Sequence, residues 1–213
     1  MSRLTRLLAA ALIALGVGFG ASRIPAGLAH LDTFRVQAVR YDGGVYVERA
    51  EVLDLLALSK DASVWHDLRA MEETLRTHPM VREVSVVRDL PDTLVVTIRE
   101  REPVAFYPFT ALEPVDEAGQ PLPVDPAKHG LDLPLLHPEL AGHAGQLLTP
   151  GQRRILAEET GRLSHANPRF MAQVSQLALG DDREIVALLA EPGVELRFRA
   201  PLAPRRLLQA EEA

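Results

Sequence analysis

The feature that most constrains this chain is a 15-residue apolar run, Leu7 to Ala21, preceded by Arg3 and Arg6 and followed by Ser22-Arg23. As a helix it spans roughly 23 Å at about 1.5 Å per residue. That is short of the ~30 Å hydrocarbon core of a bilayer, a gap that arginine snorkelling and local thinning can close. The run fits a short transmembrane helix. With its basic flank and the small residues Gly27 and Ala29 it fits a cleaved signal peptide as well. In both cases Arg3 and Arg6 hold the N-terminus in the cytoplasm and send residues 24–213 across the membrane.

The three arginines before position 24 leave 20 basic against 29 acidic residues downstream, a net charge of −9 for the exported part. An acidic body repels phosphate, so nucleic acid is not an expected partner. With 47% hydrophobic residues over 213 positions, the chain folds as one large or two small domains. The absence of cysteine removes disulfides, thiolate zinc sites and cysteine nucleophiles. Lys60 and Lys128 are the only lysines, and neither sits in an apolar setting that would make it a Schiff-base nucleophile.

Alternation over 34–41 predicts a first strand, closed by Asp42-Gly43-Gly44 as a turn. Val52, Leu55 and Leu56 recur at helical spacing within 47–58 and predict an amphipathic helix. Asp67 caps a second helix bearing Leu68, Met71 and Leu75, with His78-Pro79 as its stop. Residues 81–88 and 94–101 are β-branched runs joined by Asp89-Leu90-Pro91-Asp92-Thr93, the pattern of an antiparallel hairpin. The order β-α-α-β-β predicts a three-stranded sheet covered on one face by two helices.

Prolines then punctuate the chain from Pro108 to Pro150, and the texture change marks a domain boundary near 105. Residues 115–122 read as a tight hairpin, 131–136 as a short buried segment and Thr149-Pro150 as a capped helix start. Strands follow at about 172–179, 184–189 and 194–199 as an antiparallel meander. In the last, Val194, Leu196 and Phe198 are expected to face the core while Glu195, Arg197 and Arg199 face water. Residues after 201 read as a short helix or tail.

Motifs for phosphate loops, serine nucleophile turns and zinc proteases are missing from the sequence. His129, His137 and His143 match no zinc spacing and read as loop histidines. Asp116 with Glu117, and Asp181 with Asp182, flank glycines and read as turn carboxylates rather than acid–base pairs. Glu100, Arg101 and Glu102 read as solvated ion pairs at a strand end, and Trp65 as core or staple. No catalytic, cofactor-binding or metal-binding residue is assigned.

The segment Arg88-Asp89-Leu90-Pro91-Asp92-Thr93-Leu94-Val95-Val96-Thr97-Ile98-Arg99-Glu100-Arg101-Glu102-Pro103-Val104-Ala105 closely resembles the FtsQ/DivIB family of bacterial cell-division proteins. Its signature positions here are Arg88, Pro91, Asp92, Leu94, Glu100, Arg101 and Pro103, read as structural. Residues 34–41, Val64-Trp65 and His78-Pro79-Met80-Val81 resemble that family's polypeptide-transport-associated (POTRA) domain, and 115–119 with 133–136 its β-domain.

The resemblance implies an α+β protein with a cytoplasmic tail at 1–6, a retained single transmembrane helix at 7–24 and a linker at 25–33. A POTRA-like domain at 34–105, a β-rich antiparallel domain at 106–200 and a helix or tail at 201–213 would follow. It implies a non-enzymatic divisome scaffold of the bacterial inner membrane, acting at the division septum with partners resembling FtsB and FtsL. No cofactor or small-molecule substrate is implied. Family members continue through a further strand that carries the partner-binding edge, whereas only 201–213 remain here. That role then falls to Val194, Glu195, Leu196, Arg197, Phe198 and Arg199. The competing readings are a periplasmic chaperone-like transport-associated module and an exported hydrolase using Asp116 or the histidines.

Overall fold

The computed structural model describes residues 32–137, 147–180, 184–191 and 193–201. The cytoplasmic tail, the transmembrane helix and nearly all of the linker expected from the sequence lie outside these residues, as do the C-terminal helix or tail from 202 onward, His143 and the Asp181-Asp182 pair. The chain divides into two compact units between Glu100 and Arg101.

The first unit opens with a 3-10 turn, Asp32–Phe34, and strand β1 runs only over Ala38–Asp42. The expected strand start at 34 is wrong because the backbone there bonds elsewhere. Val36 N–H donates to Ala62 O and Gln37 N–H to Asp92 O, at 2.8 and 2.9 Å. Helix α1, Arg49–Leu56, begins where Glu51 Oε2 accepts from the Glu48 N–H at 3.0 Å and ends at Ala57, whose φ of 43° is left-handed. Helix α2, Leu68–Leu75, is capped by Asp67, whose Oδ1 accepts from Arg69 N–H at 2.9 Å. It stops before His78-Pro79 because 77, 78 and 81 donate into tight i→i−3 turns.

Strands β2, Val81–Asp89, and β3, Thr93–Glu100, form the hairpin, and β1 adds parallel to β3. The order β1-β3-β2 makes β3 central. Its alternation therefore buries Leu94, Val96 and Ile98, as Val52, Val64, Leu75 and Met80 of the same unit are buried, while Thr97 and Arg99, with Ser85 and Val87 of β2, remain exposed.

In the second unit β4, Ala105–Pro108, pairs antiparallel with β5, Leu112–Val115, and the turn at 116–119 is closed by a Val115–Pro121 bridge. A one-turn helix α3, Pro126–His129, interrupts what the sequence presents as loop, capped by Asp125. Strand β6, Leu135–Leu136, leads through residues 137–149 to α4, Pro150–Ala166, with Thr149 as N-cap, and then to α5, Pro168–Met171. Strands β7, Val174–Leu179, β8, Glu184–Leu189, and β9, Glu195–Arg199, complete the sheet.

The six strands run β5-β4-β6-β7-β8-β9, and the expected β-rich antiparallel domain is instead a mixed sheet. Pairs β4/β6 and β6/β7 are parallel, leaving β7-β8-β9 as the antiparallel meander. The reason is the connection: β6 reaches β7 through α4 and α5, and a helical crossover joins strands that run the same way. Leu156, Ala157 and Leu163 of α4 pack with Tyr107, Leu136, Leu177 and Ile185 in one buried core.

Candidate partner-binding edge

Strand β9 stands at one end of the six-strand order and pairs only with β8 among the described residues. Its register places Leu188, Val186 and Glu184 opposite Glu195, Arg197 and Arg199, and Ala187 and Ile185 opposite Leu196 and Phe198. The Leu189 N–H donates to Val194 O at 3.0 Å, which marks that pair as hydrogen-bonded. Pair types alternate along an antiparallel ladder, so Leu196 and Phe198 turn their main-chain groups toward β8. Those of Glu195, Arg197 and Arg199 point away from the sheet. Leu188 agrees with this phase, since its carbonyl faces β7 and accepts from Ser175 Oγ at 3.0 Å.

The side chains follow the same alternation. Leu196 and Phe198 are half-buried against the core, while Glu195, Arg197 and Arg199 are exposed. Arg197 Nη1 lies 3.3 Å from Glu184 and its Nη2 3.5 Å from Glu195. Val194 departs from the sequence expectation. It lies just outside β9 and is 43% exposed, although its carbonyl bonds Leu189 of β8.

Other sheet edges are occupied. Pro114 on β5 has no N–H to offer, and its carbonyl accepts from Leu122 N–H at 2.8 Å. In the first unit Glu72 Oε1 takes the outward Val86 N–H of β2 at 3.0 Å, and Arg49 Nη2 donates to Val39 O of β1 at 2.9 Å. The Val86 N–H, with the Arg76 guanidinium as a smaller contributor, holds the Glu72 carboxyl below the usual range. Natural proteins block edges by such means, and for the main-chain groups of Glu195 and Arg197 no such contact is seen among the described residues.

The signature residues lie in the framework. Arg88 stacks over Trp65, with its guanidinium carbon 5.3 Å from the ring centroid, and Trp65 meets Phe34 edge to face at 5.7 Å. Pro91 sits in the hairpin tip, and the Asp92 carbonyl accepts from Gln37 and Ala38 at the entry to β1. Leu94 is fully buried, and Pro103 is half-buried ahead of β4.

Glu100 and Arg101 are not the solvated ion pairs that their sequence position suggests. The Glu100 carboxylate accepts from the N–H groups of Val45, Tyr46 and Val47 at 2.7, 3.0 and 2.6 Å. A Cβ on Gly44 would fall 2.0 Å from Glu100 Oε2, so the Gly43-Gly44 pair, legible only as a turn, is what lets this loop close on the carboxylate. Tyr41 donates to Val47 O beside it, and burial together with the Glu100 charge raises the pKa of that phenol. Arg101 Nη1 reaches Asp116 Oδ2 at 2.8 Å, a carboxylate whose other oxygen accepts from Ala118 and Gln120 N–H.

Asp116 is thus a buried turn residue. Glu117 lies 3.7 Å from His165 Nε2 on α4. His129 ends α3, and His137 donates its backbone N–H to Leu177 O. Among the described residues no three metal-ligating side chains converge, and no helix is long and apolar enough to cross a membrane.

Residues 34–101 match the family model described as the POTRA domain, FtsQ-type. The chain is similar to the cell division protein FtsQ of Myxococcus fulvus, 31% identical over 78% of this chain and 58% of that relative. Similarity extends to the FtsQ of Anaeromyxobacter sp. (strain K), 33% identical over 49% of this chain and 36% of the relative. The cell division protein DivIB of Geobacillus kaustophilus is 25% identical over 68% of this chain and 53% of its own length. These alignments span between about a third and somewhat over half of the relatives' own lengths.

Proposed function

We propose, from the premise that the chain belongs to the FtsQ/DivIB family of cell-division proteins, that it is a membrane-anchored, non-enzymatic division scaffold. Its anchor is the apolar segment from Leu7 to Ala21, and its working surface is the outer edge of β9. The observation that carries this reading is the row of main-chain groups of Glu195, Arg197 and Arg199 turned away from β8. An extended segment of a second division protein, resembling FtsB or FtsL, adds there as a further strand. Main-chain bonds supply the affinity, and Arg197 and Arg199 favour acidic neighbours on the incoming segment.

The relatives are named for cell division, which supports a division role. The test has two parts. A fluorescent protein fused to the N-terminus should gather at midcell as cells constrict. Arg197→Pro should abolish co-purification of the division partners, since it removes an outward N–H and leaves the β8 bonds of Leu196 and Phe198 in place. A uniform envelope signal, or unchanged capture by the proline variant, would overturn the scaffold reading and favour a chaperone-like transport-associated module.

A further inference from the structure

The β9 edge is complementary to itself. Under a two-fold axis through Leu196, an antiparallel second copy places Glu195 opposite Arg197, Leu196 opposite Leu196 and Val194 opposite Phe198. In that register Glu195 and Arg197 of each copy exchange the main-chain groups that point away from β8. On the exposed face the two central cross-strand pairs, Glu195 with Arg197 and its symmetry mate, then join opposite charges, and Arg199 stands opposite Gly193. On the other face the half-buried Leu196 and Phe198 and the 43% exposed Val194 cover one another.

The neighbouring symmetric register, centred on Arg197, sets two arginines directly opposite each other and is disfavoured. Arg197 already reaches a carboxylate on the adjacent strand, Glu184 at 3.3 Å, so the guanidinium is positioned for cross-strand ion pairing on this face. We infer that, in the absence of a partner strand, the β9 edge is closed by a second copy of this chain in the Leu196-centred register. This rests on the edge being open, as in the proposed function, but not on the identity of any division partner. The heterologous strand and the second copy then compete for one ladder, and partner binding converts a homodimer into a mixed complex. Because so short an edge buries little surface, the pairing draws on the confinement of both copies to one membrane.

The sequence provides a clean test, since it contains no cysteine. In the full chain in its native membrane, Leu196→Cys should form a disulfide dimer on mild oxidation. Directly opposed residues of a non-hydrogen-bonded pair lie about 4.5 Å apart, within disulfide reach. Its yield should exceed that of Arg197→Cys and of Ser59→Cys, an exposed position in the first unit, by several-fold. In the Leu196→Cys background, Glu195→Arg and Arg197→Glu should each suppress the dimer, and co-expressing the two should restore it, because the mixture re-creates opposite charges in both pairs.

A Leu196→Cys yield no greater than that of Ser59→Cys would overturn the inference, as would dominance of Arg197→Cys or failure of the charge swap to rescue. A dimer that emerges only after removal of residues 202–213 would assign the edge to the chain's own C-terminal segment instead. Loss of partner capture in Arg197→Pro without any Leu196→Cys dimer would sink this inference alone and leave the scaffold reading standing.

Discussion

The guanidinium of Arg88 covers the ring of Trp65 and also ties down the backbone on either side of it, donating from Nε to Val64 O at 2.5 Å and from Nη2 to His66 O at 3.0 Å. One side chain near the end of β2 thereby holds the loop between the two helices, 22 to 24 positions earlier in sequence. Arg88→Ala should cost about 1–3 kcal/mol, from two charge-assisted bonds and one cation–π contact. Urea denaturation followed by the fluorescence of Trp65, the only tryptophan in the chain, measures it. Arg88→Lys should recover only part of the loss, because an ammonium cannot reach both carbonyls and stack at once.

The Glu100 carboxylate is the acceptor for three consecutive backbone N–H groups. Glu100→Ala should destabilise the protein by about 2–4 kcal/mol, leaving those donors without their acceptor. Gly44→Ala should cost a similar amount, because its methyl would occupy the carboxylate's position. Combining the two should cost much less than the sum, since both break one clamp, and a thermodynamic cycle by denaturant unfolding checks this.

Asp116 is 4% exposed and is satisfied by Arg101 and two backbone N–H groups. Asp116→Ala is expected to cost about 2–4 kcal/mol, mainly from two backbone N–H groups left without their acceptor, since the Arg101 guanidinium is partly exposed, against about 1–2 kcal/mol for Asp116→Asn, which keeps an acceptor. Equilibrium unfolding of both variants tests the order.

Glu72 introduces a pH dependence. Its carboxyl is held low by the Val86 N–H and, to a smaller extent, by Arg76, so the folded state releases this proton more readily than the unfolded state. The resulting stability is present above the unfolded carboxylate pKa of about 4.3 and is lost as pH falls through the lower folded value. Stability measured from pH 6 downward should therefore decline more steeply for the natural chain than for Glu72→Gln. Parallel pH profiles would count against this assignment.

The β9 register predicts alternating amide protection. Hydrogen exchange should be slow at Leu196 and Phe198 and fast at Glu195 and Arg197 when the edge is open. Leu196→Pro should destabilise by about 3 kcal/mol, because it removes a bond to β8, whereas Arg197→Pro should stay within about 1 kcal/mol of the natural chain.

Local chemistry was legible from the amino acids alone. The Asp67 and Thr149 caps, the 81–101 hairpin and the alternation of Glu195–Arg199 all follow from interactions within a few positions of one another. The family resemblance rested on the same hairpin. What pairs across the chain was not legible. Glu100 read as a solvated charge because its donors lie 53 to 55 positions earlier, and no local pattern encodes that distance. The parallel pairing of β4, β6 and β7 was missed because a two-residue strand carries no periodicity and its direction is set by the α4 crossover. Likewise the alternation of β9 identified its wet and dry faces, yet only the sheet order puts it at an end among the described strands. The single bond from Leu189 to Val194 then decided which of its amides face outward, because strand direction and register are cooperative properties of the assembled sheet.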